Sequence, residues 1–340
     1  MCPELRDNPS TIDFLNRHIS LQDLKFQALA GDASARRYVR IYNSNASYIL
    51  MIFPKKEKTM GEHFMQIRDL FEQHQVHVPK LLGHDFSLGY ILLEDLGDLT
   101  LERRFWESQD RLKALPFYIK SINELIKIHR IPIDKNLSYP CFHMEFDTEK
   151  LLWEMNYMRK NLLLQFFELD LSADFEQNLV SDFESICNHL SSLPQVVCHR
   201  DYHSRNIMLH KNETYVIDFQ DARLGPKQYD LVSLLRDSYV TLPSEIELEL
   251  LQYYFDRTSD LYPESWEEFY QNYQIQILQR TLKACGSFSS FYNAKKDTRY
   301  LKYIQPTLKN VETLLATLEG YEALKELFTT HKISERSCKI

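Results

Sequence analysis

Three polar side chains follow two short apolar runs of the sequence, residues 195–198 and 215–217. Asp201 and Asn206 come after the first run, and Asp218 comes directly after the second. A carboxylate can accept the proton of a hydroxyl group, and carboxylate and amide oxygens are hard ligands that suit Mg²⁺. We therefore predict that Asp201 is a catalytic base and that Asn206 and Asp218 are magnesium ligands.

The spacing of these residues indicates which reaction they could catalyse. His199-Arg200-Asp201, four further residues and then Asn206 is typical of the catalytic loop in phosphoryl transfer, and Ile217-Asp218-Phe219 stands where kinases have a metal-binding Asp-Phe-Gly. Any one of these polar residues alone could simply cap a turn. Their joint occurrence beside two strand-like runs favours a phosphotransferase that uses ATP and Mg²⁺.

Composition excludes several other classes of protein. The 340 residues have a formal net charge of −8, so no dominant basic surface for nucleic acid is expected. The six cysteines are scattered without a CxxC pair, which predicts neither a zinc site nor a disulfide framework. The sequence contains no secretory pattern and no apolar run long enough for a membrane span. We expect a cytoplasmic protein that acts as a monomer.

The first hundred residues alternate between strand-like and helix-like patterns. Period-2 and period-3.6 hydrophobicity predicts two helices and five strands. The predicted helices are Thr11–His18 and Thr59–His74, and the strands are Leu24–Ala30, Arg37–Tyr42, Tyr48–Phe53, Val78–Leu82 and Leu88–Leu93. This order predicts a small antiparallel sheet lobe with one main helix.

The link between the first two strands is a candidate phosphate-binding loop. Gly31, Ser34, Arg36 and Arg37 lie in or beside it, among small residues that let backbone N–H groups approach an anion. An arginine there could donate charged hydrogen bonds to phosphate. Taken alone, this segment is more typical of an ordinary hairpin turn, and it becomes a candidate phosphate-binding loop because it lies upstream of the predicted catalytic loop.

The third strand lacks the lysine that kinases use to hold the α- and β-phosphates, and Met51 stands near the expected place. Three explanations remain open: Arg36 or Arg37 substitutes for the lysine, Lys55 or Lys56 reaches back, or nucleotide binding is impaired. We favour the first explanation.

The fifth strand ends in Glu94-Asp95-Leu96-Gly97, which resembles a hinge where backbone groups bind adenine. Glu94, Asp95 and Leu96 are the adenine-side candidates. A hinge at 94–97 divides the chain into a nucleotide-binding lobe, residues 1–97, and a helical lobe with the catalytic loop and acceptor site, residues 98–330.

The helical lobe contains the candidate acceptor contacts. Glu154 lies beside Trp153 and Tyr157 on a predicted helix, Thr148–Leu169, and an apolar ring next to a carboxylate suits a sugar. Arg280 and Lys283 lie one helical turn apart, a spacing that is also typical of a solvated basic stripe.

The positions of two residues after the candidate metal-binding Asp218 indicate their roles. Arg223 could contact an anionic acceptor or form an ion pair. Asp230 is predicted to N-cap the helix Leu231–Tyr239.

Taken together, these segments resemble the aminoglycoside phosphotransferase/choline kinase family, a branch of the protein-kinase-like fold. The similarity is closest to the bacterial anomeric kinases of N-acetylmuramate and N-acetylglucosamine, which act in cell-wall sugar recycling. It extends over residues 10–320. The segments that support it are GDASARRY (31–38), ILLEDLGD (91–98), HRDYHSRNIM (199–208), IDFQDARLGPKQYDLVSLLRDSY (217–239) and QRTLKACGSF (279–288).

The resemblance implies a bilobal α+β fold and a role for each matching residue. Asp201 corresponds to the base, Asn206 and Asp218 to the Mg²⁺ ligands, and Gly31, Ser34 and Arg36 to the phosphate-side loop. The strand lysine is also absent from this subgroup. The candidate sugar contacts are Glu154, Arg223, Arg280 and Lys283.

Three functions remain open from the sequence. The first is a kinase of the anomeric hydroxyl of a small amino sugar, the expected partner. The second is an aminoglycoside, choline or other small-alcohol kinase of the same fold, because acceptor choice lies in the helical lobe. The third is a nucleotide-binding pseudokinase with a regulatory role, supported by the missing lysine and opposed by the intact Asp201, Asn206 and Asp218.

Overall fold

The structure is a computed structural model that describes residues 3–29, 36–54, 57–108, 111–261 and 263–336. The chain divides into two compact units. The first comprises residues 1–127, 138–140 and 205–222, and the second comprises 128–137, 141–204 and 223–340. A single cut at residue 97 does not reproduce these units, because 98–127 and 205–222 pack with the N-terminal segment. The assignment of nucleotide and acceptor binding to separate lobes stays a prediction.

The first unit contains an antiparallel sheet, for which the described residues supply five strands in the order β1-β2-β3-β5-β4. The strands are β1 (Lys25–Ala28), β2 (Arg37–Tyr42), β3 (Ser47–Ile52), β4 (Leu81–Asp85) and β5 (Tyr90–Glu94). The predicted strands therefore form, each within three residues of its expected start. Val39 pairs with Leu50, and Leu50 in turn pairs with Leu92, so that buried side chains share one face.

The described residues of the first unit also include five helices, of which the second along the chain packs on this sheet. They are α1 (Pro3–Arg6), α2 (Pro9–Asn16), α3 (Lys58–Gln73), α4 (Leu101–Glu107) and most of α5 (Leu115–His129). Asn8 caps α2 by accepting hydrogen bonds from the Ser10 and Thr11 amides. Phe14 of α2 is fully buried in a cluster with Ile41 and Leu50 of the sheet.

A hairpin completes the first unit. It consists of β7 (Ile207–His210) and β8 (Glu213–Val216), which pair antiparallel with Ile207 opposite Val216. Phe219, just beyond β8, is buried and stacks on Phe64 of α3 with ring centroids 4.9 Å apart. The hairpin is thereby anchored to the main helix of the unit.

The second unit is mostly helical and includes a short antiparallel ribbon, β6 (Gln195–Cys198) with β9 (Arg223–Pro226). Its helices are α6 (Thr148–Met158), α7 (Ala173–Ser192), α8 (Gln228–Leu235), α9 (Ser244–Thr258), α10 (Trp266–Lys295), α11 (Ile304–Leu315) and α12 (Glu322–Thr329). A buried apolar cluster joins them and includes Leu151, Phe183, Leu278 and Leu308.

Two elements of the second unit differ from the sequence prediction. The expected helix Thr148–Leu169 is α-helical only to Met158 and continues as a wider π-helix over Arg159–Phe166. The sequence pattern also predicts a helix over Ser265–Cys285, and the corresponding helix α10 continues ten residues beyond Cys285. Gly286 of α10 packs against the backbone of Met158, where a Cβ would lie 2.6 Å from the Met158 Cα. A glycine is therefore required for this close approach.

The five-stranded antiparallel sheet and the helical second unit confirm the predicted α+β class of protein-kinase-like fold. Among the described residues, no helix is both long and apolar enough to span a bilayer.

Candidate active site

The β7–β8 hairpin places the two candidate metal ligands at one end. Asn206 immediately precedes β7, and Asp218 follows β8 by two residues. The Ile217 amide donates a hydrogen bond to the Asn206 carbonyl at 3.0 Å, which extends the ladder by one pair. An amide and a carboxylate are oxygen donors of the kind that Mg²⁺ prefers. The donor chemistry of this pair therefore fits the ion that the sequence predicts.

Arg36 is the candidate phosphate-side residue that the structure brings to this end of the hairpin. Its guanidinium donates to the Asp218 Oδ1 at 2.8 Å, and Gln220 donates to the same oxygen at 3.3 Å. Burial opposes the charge of Arg36, but Tyr38 and Asp218 raise its pKa above the ordinary value. Arg36 therefore keeps its charge next to the predicted metal ligand.

The other loop candidates are not brought to Asp218. Arg37 begins β2 opposite Ile52 and is exposed to solvent. Gly31 and Ser34 lie outside the described residues, as do Lys55 and Lys56. Arg36 lies beside the predicted metal ligand, as the first explanation for the missing strand lysine requires, and the choice among the three explanations stays a prediction.

The predicted hinge is held by a buried arginine that sequence reasoning missed. Arg40 of β2 forms an ion pair with Asp95, 2.7 Å from Nε to Oδ2, and donates to the Asp98 carboxylate and the Gly97 carbonyl. The Asp95 side chain therefore has a structural partner. The carbonyl of Leu96 accepts a hydrogen bond from His210 Nδ1 at 3.2 Å.

At the other hinge residue, the Glu94 amide donates to the Lys80 carbonyl at 2.9 Å. Adenine binding by Glu94, Asp95 and Leu96 stays a prediction.

The loop that contains Asp201 is fixed by a buried carboxylate on α8. Asp230 accepts hydrogen bonds from the backbone amides of His199 at 2.6 Å and Arg200 at 3.0 Å. The prediction that Asp230 N-caps a helix is wrong, because α8 begins two residues earlier at Gln228. The carboxylate instead points at the catalytic loop, where Arg200 has a left-handed φ of 84°.

A second buried carboxylate holds the same loop beyond Asp201. Asp237 Oδ2 accepts from the Ser204 amide at 2.9 Å and from the Ser204 hydroxyl at 2.5 Å, and its Oδ1 accepts from the Tyr239 amide at 2.8 Å. Asp201 thus lies on a loop whose backbone is fixed on both sides by carboxylates that are themselves buried.

Asp201 lies among cations of the second unit. The Arg280 Nη2 is 3.7 Å and the Lys283 Nζ is 4.0 Å from the Asp201 Oδ1. Burial alone would raise the pKa of Asp201, but Lys283, Arg200 and Arg280 together lower it far below its ordinary value. Asp201 is therefore an anion at neutral pH, as an acceptor of a hydroxyl proton must be.

The candidate sugar contacts mostly gather around Asp201. Arg280 and Lys283 are not a solvated stripe, since Arg280 is buried and donates to the Ser233 hydroxyl at 3.0 Å. Glu154 is buried and accepts from the Gln279 side chain at 3.0 Å. Arg223 begins β9 and stacks its guanidinium on the Phe146 ring, 5.2 Å from the centroid.

Sequence reasoning missed Arg40 and Asp237, and it misassigned Asp230. A signal was present in residues 230–237, where Asp230 and Asp237 stand at the two ends of a mainly apolar stretch. Arg40 likewise stands between the buried residues Val39 and Ile41. A charged residue surrounded by core residues requires a counter-ion.

Comparison with solved structures shows a protein-kinase-like fold. The chain is similar to the ADP-bound aminoglycoside phosphotransferase APH(2'')-Ib, with a TM-score of 0.61 at 16% identity, covering 89% of this chain and 97% of that one. The choline kinase LicA from Streptococcus pneumoniae gives 0.61 at 17% identity, covering 89% and 98%. At such identities the likeness concerns the fold alone.

Sequence comparison gives the family. The profile of the phosphotransferase enzyme family (APH) matches residues 25–269, and the chain belongs to this family. The chain is also 30% identical over 324 residues to the N-acetylmuramate/N-acetylglucosamine kinase of Neisseria meningitidis serogroup B (strain MC58), covering 91% of this chain and 95% of that protein. The chain is accordingly an ATP-dependent kinase, as the sequence predicted.

Proposed function

We propose that this kinase transfers the γ-phosphoryl group of Mg-ATP to the anomeric hydroxyl of an N-acetylated amino sugar, N-acetylmuramate or N-acetylglucosamine. The observation that supports this proposal most directly is the anionic Asp201, fixed by Asp230 and Asp237 on either side and surrounded by cations. The similarity to the N-acetylmuramate/N-acetylglucosamine kinase of Neisseria meningitidis supports the choice of acceptor.

The electrostatics of Asp201 suit an acidic hydroxyl. Because its pKa is lowered, Asp201 is a weak base, and a weak base serves best where the proton is readily lost. The anomeric hydroxyl is more acidic than an ordinary alcohol, since the ring oxygen withdraws electrons from the same carbon. Asp201 would accept this proton as the sugar oxygen bonds to the γ-phosphorus and the bond to ADP breaks.

The first unit supplies the nucleotide-side residues in this proposal. Asn206 and Asp218 would hold Mg²⁺, which when bound neutralises charge on the phosphates. Arg36 would donate hydrogen bonds to phosphate oxygens in place of the absent strand lysine. The cell compartment expected for such a reaction on a recycled sugar is the cytoplasm.

The alternative acceptors fit less well. An aminoglycoside is a polycation and choline is a quaternary ammonium, and both would be repelled by Arg280, Lys283 and the other positive groups near Asp201. This charge distribution favours a neutral or anionic acceptor.

The experiment is phosphorus NMR of the protein with Mg-ATP and one acceptor per tube: N-acetylmuramate, N-acetylglucosamine, glucose, kanamycin or choline. We expect a sugar 1-phosphate signal with an N-acetyl sugar. Product only with kanamycin or choline would refute the proposed acceptor while leaving the kinase assignment intact.

The role of Asp201 is tested separately with Asp201→Asn. This variant should bind ATP normally and lose turnover by about 10²- to 10⁴-fold, because the amide cannot accept the proton. The matched control is Asp260→Asn, which removes an exposed carboxylate paired with Arg130. A near-normal rate in Asp201→Asn would contradict the mechanism.

A further inference from the structure

The second unit concentrates positive charge around Asp201. Within its described residues, five cations and three carboxylates interact electrostatically in one cluster. The cations are Lys150, Arg200, Arg223, Arg280 and Lys283, and the carboxylates are Asp201, Glu154 and Asp237. These groups include more cations than carboxylates, in a protein whose net charge is −8. A concentration of cations in a partly buried place favours an anionic ligand.

Two of these cations have hydrogen-bonding capacity left over. The Lys283 ammonium lies 4.0 Å from Asp201, and the Lys150 ammonium lies 3.8 Å from Glu154, both beyond hydrogen-bond distance. In the part of the chain that the structure describes, the Lys283 ammonium donates no hydrogen bond, and the Lys150 ammonium pairs with the Glu154 carboxylate. Both side chains are partly exposed, 14% for Lys283 and 27% for Lys150, so that a ligand can reach them.

The two lysines belong to one site. Glu154 and Arg200 act electrostatically on both of them, which places both ammonium groups near the same pair of charges. Burial lowers the pKa of each lysine, and neighbouring arginines lower it further, so that an added anion would stabilise both charges.

An aromatic surface adjoins the same site. The Lys150 ammonium lies 4.0 Å from the centroid of the Trp153 ring. Trp153 is 56% exposed and stacks on Tyr157 with ring centroids 5.3 Å apart. An exposed aromatic face beside charged groups suits a sugar ring that bears a polar substituent.

We propose that Lys283 and Lys150 bind a carboxylate of the acceptor sugar, and that the site therefore discriminates between acidic and neutral sugars. The inference rests on the proposed function and identifies the part of the acceptor that these residues contact. N-acetylmuramate has a lactyl carboxylate that N-acetylglucosamine lacks, so the acidic sugar is the preferred substrate.

The test compares two acceptors that differ only in this charge, N-acetylmuramate and its neutral carboxamide. The quantity measured is the ratio of their kcat/KM values. In Lys283→Gln the acid-to-amide ratio should fall about 10- to 100-fold, as expected for loss of one charged hydrogen bond. Lys150→Gln should lower the same ratio by less, because this side chain is the more exposed of the two.

Matched controls are available on the same helical segments. Lys295→Gln on α10 and Lys160→Gln after α6 each remove one exposed positive charge and should leave the ratio unchanged. Lys283→Arg keeps the charge and should retain most of the preference. Circular dichroism of each variant reports whether the fold is intact.

The outcomes separate the two proposals. An unchanged acid-to-amide ratio in Lys283→Gln, with a raised KM for ATP, would assign the cations to the nucleotide phosphates and overturn this inference alone. An equal loss with both acceptors would assign Lys283 to the electrostatics of Asp201, and would likewise overturn it. A wild-type protein that phosphorylates neither N-acetyl sugar would overturn the proposed function and this inference with it.

Discussion

At the scale of single residues, two residues of the candidate site have unfavourable backbone conformations. Asp218 has φ of 65° and Arg200 has φ of 84°, values in the left-handed region that favours glycine. Such conformations cost of order 1–3 kcal/mol each and persist only where surrounding contacts enforce them. The Arg36 ion pair at Asp218 and the Asp230 carboxylate at the Arg200 amide are contacts of this kind.

Arg36 is predicted to act in nucleotide binding. We expect Arg36→Met to raise the KM for ATP about 10- to 100-fold, because one charged hydrogen-bond donor to phosphate is lost. The measurement is initial rate against ATP concentration at saturating acceptor. Arg17→Met, which removes an exposed arginine on the surface of the first unit, is the control. An unchanged KM for ATP in Arg36→Met would refute the substitution of Arg36 for the strand lysine.

At the scale of elements, the catalytic loop is positioned by α8 and the residues that follow it. Three donors converge on the two oxygens of Asp237: the Ser204 amide, the Ser204 hydroxyl and the Tyr239 amide. An asparagine has only one acceptor oxygen, so it cannot satisfy all three. We expect Asp237→Asn to lower kcat about 10- to 100-fold by displacing the loop.

Asp237 also predicts a pH dependence that a displaced loop alone would not produce. Burial raises its pKa to about 6, although the hydrogen bonds from Ser204 and Tyr239 act in the opposite direction. The folded state therefore keeps this proton at pH values where the unfolded chain has lost it. The stabilisation is fully present below the unfolded pKa and is lost as the pH rises through about 6.

The measurement is the free energy of unfolding in urea at pH 5 and at pH 7. Relative to Asp237→Asn, the wild type should lose roughly 1 kcal/mol between these values. Asp260→Asn is the control, because the hydrogen bond from Arg130 lowers the pKa of this exposed carboxyl and its titration is complete below pH 5. A difference that stays constant with pH for Asp237→Asn would show that Asp237 is ionised throughout.

The sequence predicted elements better than it predicted partners. Local hydrophobic periodicity located the strands of the sheet and the helix α3 to within a few residues, since both depend on neighbours in sequence. The pairs Arg40–Asp95 and Ser204–Asp237 join residues 55 and 33 positions apart. Such pairs are fixed by tertiary packing, so no local pattern identifies the partner.

In the candidate site, too, local spacing could be recognised from the sequence and tertiary partners could not. The spacing of Asp201, Asn206 and Asp218 could be recognised because the loop and hairpin that contain them are short. The proximity of Arg280 and Lys283 to Asp201 could not be predicted from the sequence, because α10 reaches the loop only through folding of the second unit.

At the scale of the whole molecule, charge is distributed unevenly. The chain has 40 lysines and arginines against 48 aspartates and glutamates, yet the residues around Asp201 are mainly cationic. A negative overall charge keeps the molecule dispersed, and the proposed role of the local cations is to bind an anionic ligand. Composition therefore gave no information about the acceptor, and the expectation that nucleic acid is not a partner stays a prediction.

The distribution of thiols over the whole chain provides a measure of the second unit's stability. In the described part of the chain the cysteines are buried and form no disulfide, namely Cys141, Cys187, Cys198 and Cys285. Burial raises the pKa of Cys141 and of Cys187 to about 12, and raises that of Cys198 well above its ordinary value. Only the thiolate reacts with a disulfide reagent, so these residues should be protected while the unit is folded.

We predict that a variant with Cys2→Ser and Cys338→Ser, which removes the two cysteines outside the described residues, gives almost no labelling by Ellman's reagent at pH 8 in native buffer. In urea the same variant should give four equivalents at once.

If labelling requires opening of the core, an opening free energy of about 5 kcal/mol slows it by roughly several thousand-fold relative to the unfolded chain. ATP or acceptor that binds only the folded state should slow it further, by a factor of one plus the ratio of the free ligand concentration to Kd. Rapid native labelling of any of the four would contradict the packing of α6, α7, β6 and α10 around them, and labelling that ligands do not slow would place their binding away from this core.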